Sequence, residues 1–234
     1  EEEETYRNPW RIDRTPTAPP VYNEEQERAM AAIRECMETG KGTLLLHGVT
    51  GSGKTEVYMN AAAMALEQGK QVIVLVPEIS LTPQTVGRFK GRFGDSVAIL
   101  HSGLSLGERY DEWRRIRKDE VRIVVGARSA IFAPLERLGL IIIDEAHEDS
   151  YKSDVRPRYH ARDIAARRCE LEGAVLVLGS ATPALEDYYR ASRGDYRLAV
   201  MNSRVDHQPL PPVETVDMRR ELEMGNRSIF SQAL

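Results

Sequence analysis

The sequence has few cysteines, which cross-link small secreted proteins, and no long apolar run of the kind that anchors a chain in a bilayer. It has only two cysteines among 234 residues, Cys36 and Cys169. Both lie within helical patterns and show no Cys-x-x-Cys or Cys/His spacing, so neither a disulfide framework nor a zinc site is indicated. Apolar runs such as 72–76 are too short to span a bilayer. Residues 1–4 are glutamates, unlike the basic start of a secretory signal peptide. We expect a globular cytoplasmic protein with two buried thiols and no membrane partner.

The chain also lacks a strong excess of charge of either sign. Its 32 basic and 36 acidic residues give a net charge of −4. This balance argues against a nonspecific cationic coat for nucleic acid, but it leaves room for a local basic groove. Residues 152–168 form such a locally basic segment, because six lysines or arginines stand there against two aspartates.

Short apolar runs alternate with segments of helical periodicity. The runs are typical of strands buried on both faces, and they occupy 43–47, 71–76, 97–100, 121–125, 140–144 and 174–180. Helices are predicted over 54–68, 82–93, 106–118, 160–172 and 183–191. Another helix is expected from a capping box at Asn23 and Gln26 to Gly40. The alternation predicts an α/β fold in which a mostly parallel sheet carries helices on both faces.

The two ends of the chain differ from this pattern. Residues 1–20 contain four glutamates and four prolines without a hydrophobic period, which indicates an extended linker. Residues 211–220 offer one more strand, and 226–234 resemble the start of a helix. The sequence therefore predicts one α/β lobe over 21–220, with connecting segments at 1–20 and 221–234.

A phosphate-binding loop follows the first predicted strand and opens the next helix. Glycines let backbone N–H groups turn toward phosphates, and the helix N-terminus favours negative charge. Lys54 is expected to contact the β- and γ-phosphates of ATP, and Thr55 to ligate Mg²⁺. The predicted nucleotide-binding residues of the loop are Gly48, Val49, Thr50, Gly51, Ser52, Gly53, Lys54 and Thr55.

A second acidic motif, Asp-Glu-Ala-His, follows the predicted strand 140–144. Asp144 is expected to hold Mg²⁺, and Glu145 to orient and deprotonate the attacking water. His147 completes the motif, and the hydroxyls of Ser180 and Thr182 at a later strand end are predicted to bond to it. Lys54, Asp144, Glu145 and His147 are thus the candidate catalytic residues.

Seven strings in order carry a family resemblance. They are GVTGSGKTEVYM, LVPEISLTPQ, LHSGLS, GARSAIFAP, IIIDEAHEDSYK, RYHARDIA and LGSATPALE. The chain resembles superfamily 2 DEAH-box helicases and, among them, the family of the replication-restart helicases, over residues 21 to about 220. The resemblance implies a RecA-like P-loop lobe within an ATP-dependent 3′ to 5′ DNA helicase that acts at stalled forks.

The resemblance also implies roles for particular residues. Gln26 matches the glutamine that reads adenine, although helix capping is an equally good role for its side chain. Single-stranded DNA is expected to contact two segments at strand ends, 77–84 and 126–134. It is also expected to contact an aromatic-rich basic loop at 151–160, where rings stack on bases and cations hold phosphates. The predicted DNA-binding residues are Ser80, Thr82, Gln84, Arg128, Ser129, Tyr151, Lys152, Arg158 and Tyr159.

Several parts of such a helicase are not found in this sequence. The family carries an upstream DNA-binding domain with a winged helix, and a second motor lobe with a zinc module. We therefore expect an excised first motor lobe, which binds nucleotide but turns it over feebly because the arginine that completes the ATP site belongs to the second lobe. Expected partners are those missing domains, single-stranded and forked DNA, primosome proteins and single-strand-binding proteins, with a location at the bacterial nucleoid.

Three other interpretations remain open at this point. Another superfamily 2 translocase, of RecG-like or restriction-enzyme type, would share the two nucleotide motifs but not PEISLTPQ and GARSAIF. A nucleotide-gated DNA-binding module would bind ATP without turnover. A small-molecule P-loop kinase is disfavoured, because its phosphate loop is not normally joined by Asp-Glu-Ala-His and Ser-Ala-Thr motifs.

Overall fold

A seven-stranded parallel sheet forms the centre of the computed structural model, which describes residues 21–205 and 213–233. The strand order is β3-β4-β2-β5-β6-β1-β7, and every pairing is parallel. The strands are β1 Thr43–Gly48, β2 Gln71–Leu75, β3 Val97–Leu100, β4 Ile123–Gly126, β5 Leu138–Ile143, β6 Val175–Ser180 and β7 Arg197–Met201. The α/β prediction is thereby confirmed.

Seven α-helices connect or flank these strands. They are α1 Glu24–Thr39, α2 Lys54–Glu67, α3 Pro83–Phe93, α4 Leu106–Arg117, α5 Ala161–Glu172, α6 Leu185–Ser192 and α7 Met218–Glu223, counted over the described residues. The helices that were predicted from periodicity agree with α1 to α6 within about two residues at each end. The capping box of Asn23 and Gln26 is also present.

Two hydrophobic cores lie on opposite faces of the sheet. Successive strand residues point to opposite faces, so Leu44 and Leu46 pack on the α1–α3 side, whereas Leu45 packs on the α4–α6 side. Cys36 and Cys169 are buried free thiols, one in each core. Helices therefore cover both faces, as the uninterrupted apolar runs indicated.

The C-terminal part differs from the prediction. Strand β7 was not predicted, because it is an edge strand with residues exposed at three of its five positions and no long apolar run. The strand expected within 211–220 is wrong for the described part, since 213–217 are irregular and 218–223 form α7. The helix expected from 226 is also wrong, because residues 226–233 form bends and turns. The predicted linker 1–20 lies outside the described residues.

The parallel arrangement brings the predicted motifs to one edge of the sheet. The phosphate loop leaves β1, Asp144 follows β5, and Ser180 ends β6, which lies between those two strands. Strand β7 supports the loop from the other side, because the Val49 amide donates to the Met201 carbonyl at 3.0 Å. Ligands bind at this edge in open α/β sheets.

Candidate active site

The phosphate loop has the backbone geometry that its glycines allow. Gly51 and Gly53 have φ angles of 79° and 85°, which side chains with a Cβ rarely adopt. Lys54 is buried at the start of α2, and its ammonium donates to the Gly48 carbonyl at 2.7 Å. The buried Ser52 hydroxyl has no hydrogen-bond partner among the described residues. The loop therefore holds polar groups that phosphate oxygens can satisfy.

A cleft of about 560 Å³ opens beside this loop. Its volume is in the range of ligand pockets. The lining residues are Val21, Gln26, Thr50, Gly51, Ser52, Gly53, Lys54, Thr55, Glu56, Met59, Arg88, Arg92, Asp144, Glu145 and Val205. The structure thus brings the predicted loop and the two predicted carboxylates to one cavity, which we call the nucleotide cleft.

Gln26 lies on the wall of the nucleotide cleft and caps α1 at the same time. Its Oε1 accepts from the Asn23 amide at 3.0 Å, and its Nε2 lies 3.5 Å from the Ser52 carbonyl. A Cβ added at Gly53 would lie 2.3 Å from Nε2. The capping role is therefore present, and the adenine-reading role stays a prediction.

Asp144 and Glu145 lie at the end of β5 and face the cleft. One Asp144 carboxylate oxygen accepts from the Tyr58 hydroxyl at 2.8 Å and from the Glu145 amide at 3.0 Å. Burial raises the pKa of Asp144, and the Tyr58 hydrogen bond opposes that rise. Glu145 has a φ of 44°, a left-handed conformation for a residue with a side chain. Such local strain is frequent at functional sites.

Tyr58 is a site residue that the sequence interpretation missed. Its side chain is fully buried, and burial together with Asp144 raises its pKa, so the hydroxyl stays protonated and donates. A Cβ at Gly179 would lie 1.7 Å from the Tyr58 oxygen, so only glycine lets the phenol reach Asp144. The signal was available, because Tyr58 lies four residues after Lys54 on the same helix face.

His147 contacts both hydroxyls that were predicted for it. One ring nitrogen lies 2.8 Å from the Ser180 oxygen, and the other lies 3.3 Å from the Thr182 hydroxyl. The Glu145 carboxylate is 3.7 Å from the first nitrogen. These contacts join the ends of β5 and β6 through side chains, and their part in coupling remains a prediction.

A second cleft of about 350 Å³ collects several residues predicted to bind DNA, and we call it the DNA-facing cleft. Its lining is Val76, Pro77, Glu78, Ser102, Ala127, Arg128, Ser129, Ser150, Tyr151 and Tyr159. The other predicted DNA contacts lie outside this lining: Gln84, Lys152 and Arg158 are exposed, and Ser80 is half-buried. Thr82 is exposed and caps α3 by accepting from the Thr85 amide at 3.3 Å.

Arg128 joins the predicted DNA segment 126–134 to the predicted basic loop within this cleft. It donates to the carbonyl of Ser150 at 3.2 Å and to that of Lys152. Its guanidinium carbon lies 5.8 Å from the centre of the half-buried Tyr159 ring. A short helical turn at Asp149–Tyr151 leads into the predicted loop 151–160, and we refer to the two together as the loop 149–160. The segment 126–134 is therefore in direct contact with this loop.

The prediction that the Tyr151 ring stacks on a DNA base is wrong for this structure. Only 1% of the residue is exposed, and the ring packs in the core on the α4–α6 side. The hydroxyl donates to the Asp144 carbonyl at 2.6 Å. Burial raises the pKa of Tyr151, so this donor stays protonated. Tyr159 is the ring of the loop that reaches the surface.

The side chains of the nucleotide cleft fit a hydrated magnesium ion held jointly with phosphates. Thr55 and Asp144 both line the cleft and supply a hydroxyl and a carboxylate, which are hard oxygen ligands. Residues 21–205 and 213–233 contain no group of three or more His, Cys, Asp or Glu suited to a metal. Mg²⁺ is commonly held by one or two protein oxygens together with phosphates and water.

The fold and this pair of motifs are those of a nucleotide-dependent helicase motor. The family model described as DEAD/DEAH box helicase matches residues 23–191. The chain belongs to the DEAD/DEAH box helicase family.

Two relatives narrow the comparison within that family. The chain is 57% identical over 234 residues to the replication restart protein PriA of Bacillus subtilis (strain 168), covering 99% of this chain and 29% of that protein. It is 54% identical over 200 residues to the replication restart protein PriA of Synechocystis sp. (strain ATCC 27184 / PCC 6803 / Kazusa), covering 83% of this chain and 24% of that protein. The chain thus spans less than a third of the length of either relative.

Solved structures agree with the helicase fold. RecG bound to a three-way DNA junction matches with a TM-score of 0.60 and 25% identity, covering 88% of this chain and 27% of that one. The Hef helicase domain of Pyrococcus furiosus matches with a TM-score of 0.56 and 23% identity, covering 78% of this chain and 38% of that one. Across the described ranges, no helix has the length and apolarity needed to cross a membrane.

Proposed function

We propose that this chain is the ATP-binding first motor lobe of a 3′ to 5′ DNA helicase that restarts replication at abandoned forks. The observation that carries the proposal is the nucleotide cleft, in which the phosphate loop faces Asp144 and Glu145. Identities of 57% and 54% to PriA proteins favour this function over a RecG-like remodeller, for which the identity is 25%.

The predicted site residues then have distinct tasks. Lys54 supplies positive charge to the β- and γ-phosphates, and Thr55 and Asp144 would hold the magnesium ion. That ion neutralises phosphate charge when it is bound. Glu145 orients the attacking water and accepts its proton. His147 relays the state of the cleft to Ser180 and Thr182.

The DNA-facing cleft supplies the track for single-stranded DNA in this proposal. Arg128, Ser129 and Tyr159 line it, and they offer the guanidinium, hydroxyl and ring that suit phosphates and bases. In the whole protein we place a DNA-binding domain and a second motor lobe around this track. We also assign primosome and single-strand-binding proteins as partners, and the bacterial cytoplasm, at the nucleoid, as the location.

Calorimetry of MgADP binding to the chain and to Lys54→Ala tests the proposal. We expect at least a tenfold loss of affinity, because hydrogen bonds to charged groups contribute about 1.5 to 3 kcal/mol. Lys41→Ala is the matched control, since Lys41 is exposed before β1 and outside the cleft lining. Equal affinity for the wild type and Lys54→Ala would contradict the proposed site.

A nucleotide-gated module without turnover is the second candidate. The observation that favours it is that Arg92, one of the two arginines lining the cleft, is already paired with Glu56. Turnover by the full-length protein in the presence of single-stranded DNA, and its loss in Glu145→Gln, separates the motor from the module.

A further inference from the structure

One face of α4 is basic and aromatic. Its residues recur every three or four positions and so lie on one side of the helix. They are Leu106, Arg109, Tyr110, Trp113, Arg114 and Arg117, and they line a groove of about 430 Å³. We call this surface the α4 arginine face.

The acidic residues of α4 do not line this groove. Glu108 accepts hydrogen bonds from the amide and hydroxyl of Ser105 in the capping box of the helix. Asp111 and Glu112 are buried, and Glu112 accepts from the Ile99 amide at 3.2 Å and pairs with Arg115. The lining of the groove therefore contains three arginines and none of the acidic residues of α4.

The face is continuous with the DNA-facing cleft. A third cavity of about 210 Å³ is lined by Leu100, His101, Arg109, Trp113, Ser129 and Phe132. It shares Ser129 with the DNA-facing cleft, and Arg109 and Trp113 with the α4 arginine face. The three cavities form one path from the loop 149–160 to the β3 edge of the sheet.

The exposed rings identify the kind of nucleic acid that fits. Tyr110 is 62% exposed, with the Arg114 guanidinium carbon 5.6 Å from its ring centre, and Phe132 is 47% exposed. A single strand offers both phosphates for the arginines and unstacked bases for the rings. Duplex DNA keeps its bases stacked inside, so it would use only the arginines.

We propose that the α4 arginine face binds the single-stranded DNA that leaves the DNA-facing cleft, as an extension of the track at the β3 edge. This inference rests on the DNA-motor function proposed above. Strands β3 and β1 lie far apart in the sheet order, so the extension is remote from the phosphate loop. The extension increases the length of single-stranded DNA that is bound, and it does not contact the nucleotide.

Fluorescence anisotropy with labelled thymidine oligonucleotides of about 6 and about 20 nucleotides tests the extension. One single-strand-binding module covers about 4 to 16 nucleotides, so only the longer strand fills both surfaces. The triple variant Arg109→Gln/Tyr110→Ser/Arg117→Gln changes exposed residues of the face. It should bind the longer strand at least fivefold more weakly, and the short strand as wild type does.

The salt dependence gives a second readout. Each lost phosphate contact on a single strand lowers the slope of log affinity against log salt by about 0.7, so the loss of two arginines should lower it by about 1.4 for the longer strand. Tyr189→Ser/Arg190→Gln/Arg193→Gln is the matched control, because it removes the same groups from exposed positions of α6 and the residue after it. Circular dichroism melting checks that both triple variants are folded.

The outcomes separate this inference from the function on which it rests. If the wild type binds neither oligonucleotide, the proposed DNA track fails. If the wild type binds both, and the α4 triple variant matches it on the longer strand, only the extension is overturned. An equal loss of affinity for the longer strand in the α6 control would show a net-charge effect and would also overturn the extension. The extension would likewise be overturned if the α4 triple variant lost affinity only for blunt duplex DNA.

Discussion

The hydroxyl of Tyr151 donates a hydrogen bond of 2.6 Å to the backbone carbonyl of Asp144. This bond joins the loop 149–160, expected to contact DNA, to the residue expected to hold magnesium. Arg128 binds two carbonyls of the same loop from the neighbouring predicted DNA segment. A displacement of this loop, or of Arg128, would therefore be transmitted to Asp144 at the end of β5 through one or two hydrogen bonds.

Tyr151→Phe should uncouple DNA from ATP hydrolysis in the full-length protein. The change removes the bond to Asp144 but keeps the buried ring, whereas alanine would leave a cavity costing about 3 to 5 kcal/mol. We expect DNA-stimulated ATPase to fall about 5- to 150-fold, the range of ordinary allosteric coupling of about 1 to 3 kcal/mol. Nucleotide and DNA affinities should stay within about twofold of wild type.

Tyr159→Phe is the control for this prediction, because it removes a tyrosine hydroxyl from the same loop. Steady-state ATPase over a range of single-stranded DNA concentrations measures both variants. Full stimulation of Tyr151→Phe would show that coupling does not use this hydroxyl. The path through Arg128 and the segment 126–134 would then be the one to test.

Tyr58→Phe should weaken magnesium binding more than nucleotide binding. The Tyr58 hydroxyl orients the Asp144 carboxylate at 2.8 Å, and loss of such supporting hydrogen bonds typically costs 10- to 100-fold in metal affinity. Calorimetry of ADP binding with and without Mg²⁺ measures the two effects separately. If Mg²⁺ dependence were unchanged while ADP affinity fell, the phenol would serve the loop and not Asp144.

The motifs and most of the sheet could be predicted because their signals are local. A phosphate loop between a strand and a helix is a contiguous string, and strands buried on both faces are contiguous apolar runs. Strand β7 lacks such a run, since it lies at the sheet edge beside β1 and exposes Arg197, Leu198 and Val200. Its supporting contact with the phosphate loop joins distant segments, which periodicity cannot show.

The side-chain errors have a similar cause. The aromatic spacing of the loop 149–160 does not reveal which ring is buried, and packing places Tyr151 inside and Tyr159 at the surface. The roles of Tyr58 on α2 and Gly179 on β6 depend on one another, because the phenol occupies the space that a Cβ at Gly179 would fill. The sequence places Tyr58 on the same helix face as Lys54, but it does not show that the phenol fills the space beside Gly179.

Gly53→Ala should impair nucleotide binding, whereas Gly40→Ala should only lower stability. Both glycines have positive φ angles, 85° and 64°, and a left-handed residue with a Cβ costs about 1 to 2 kcal/mol. A Cβ at Gly53 would also lie 2.3 Å from Gln26, whereas the nearest atom to one at Gly40 is 3.7 Å away. Urea unfolding and MgADP calorimetry on both variants distinguish the effects. Normal nucleotide affinity in Gly53→Ala would show that the loop tolerates a rearranged Gln26.

The isolated chain should bind MgATP but hydrolyse it feebly, even with saturating single-stranded DNA. The nucleotide cleft has two arginines of its own, Arg88 and Arg92, and Arg92 pairs with Glu56 at 2.5 Å. Arg128 lines the DNA-facing cleft and not the nucleotide cleft. On the proposed function, transition-state charge is completed by an arginine of a second motor lobe, and such an arginine accounts for about 10³ to 10⁵ in rate.

Phosphate release by the chain and by the full-length protein, measured under the same conditions, tests this expectation. A difference of at least about 10³ supports an arginine supplied from outside the chain. Comparable rates would contradict it and turn attention to Arg88. Arg88 would then be the better candidate for stabilising the transition state, because Arg92 is already paired with Glu56 in the nucleotide cleft. Arg88→Ala would then abolish the activity of the chain while leaving MgADP binding intact.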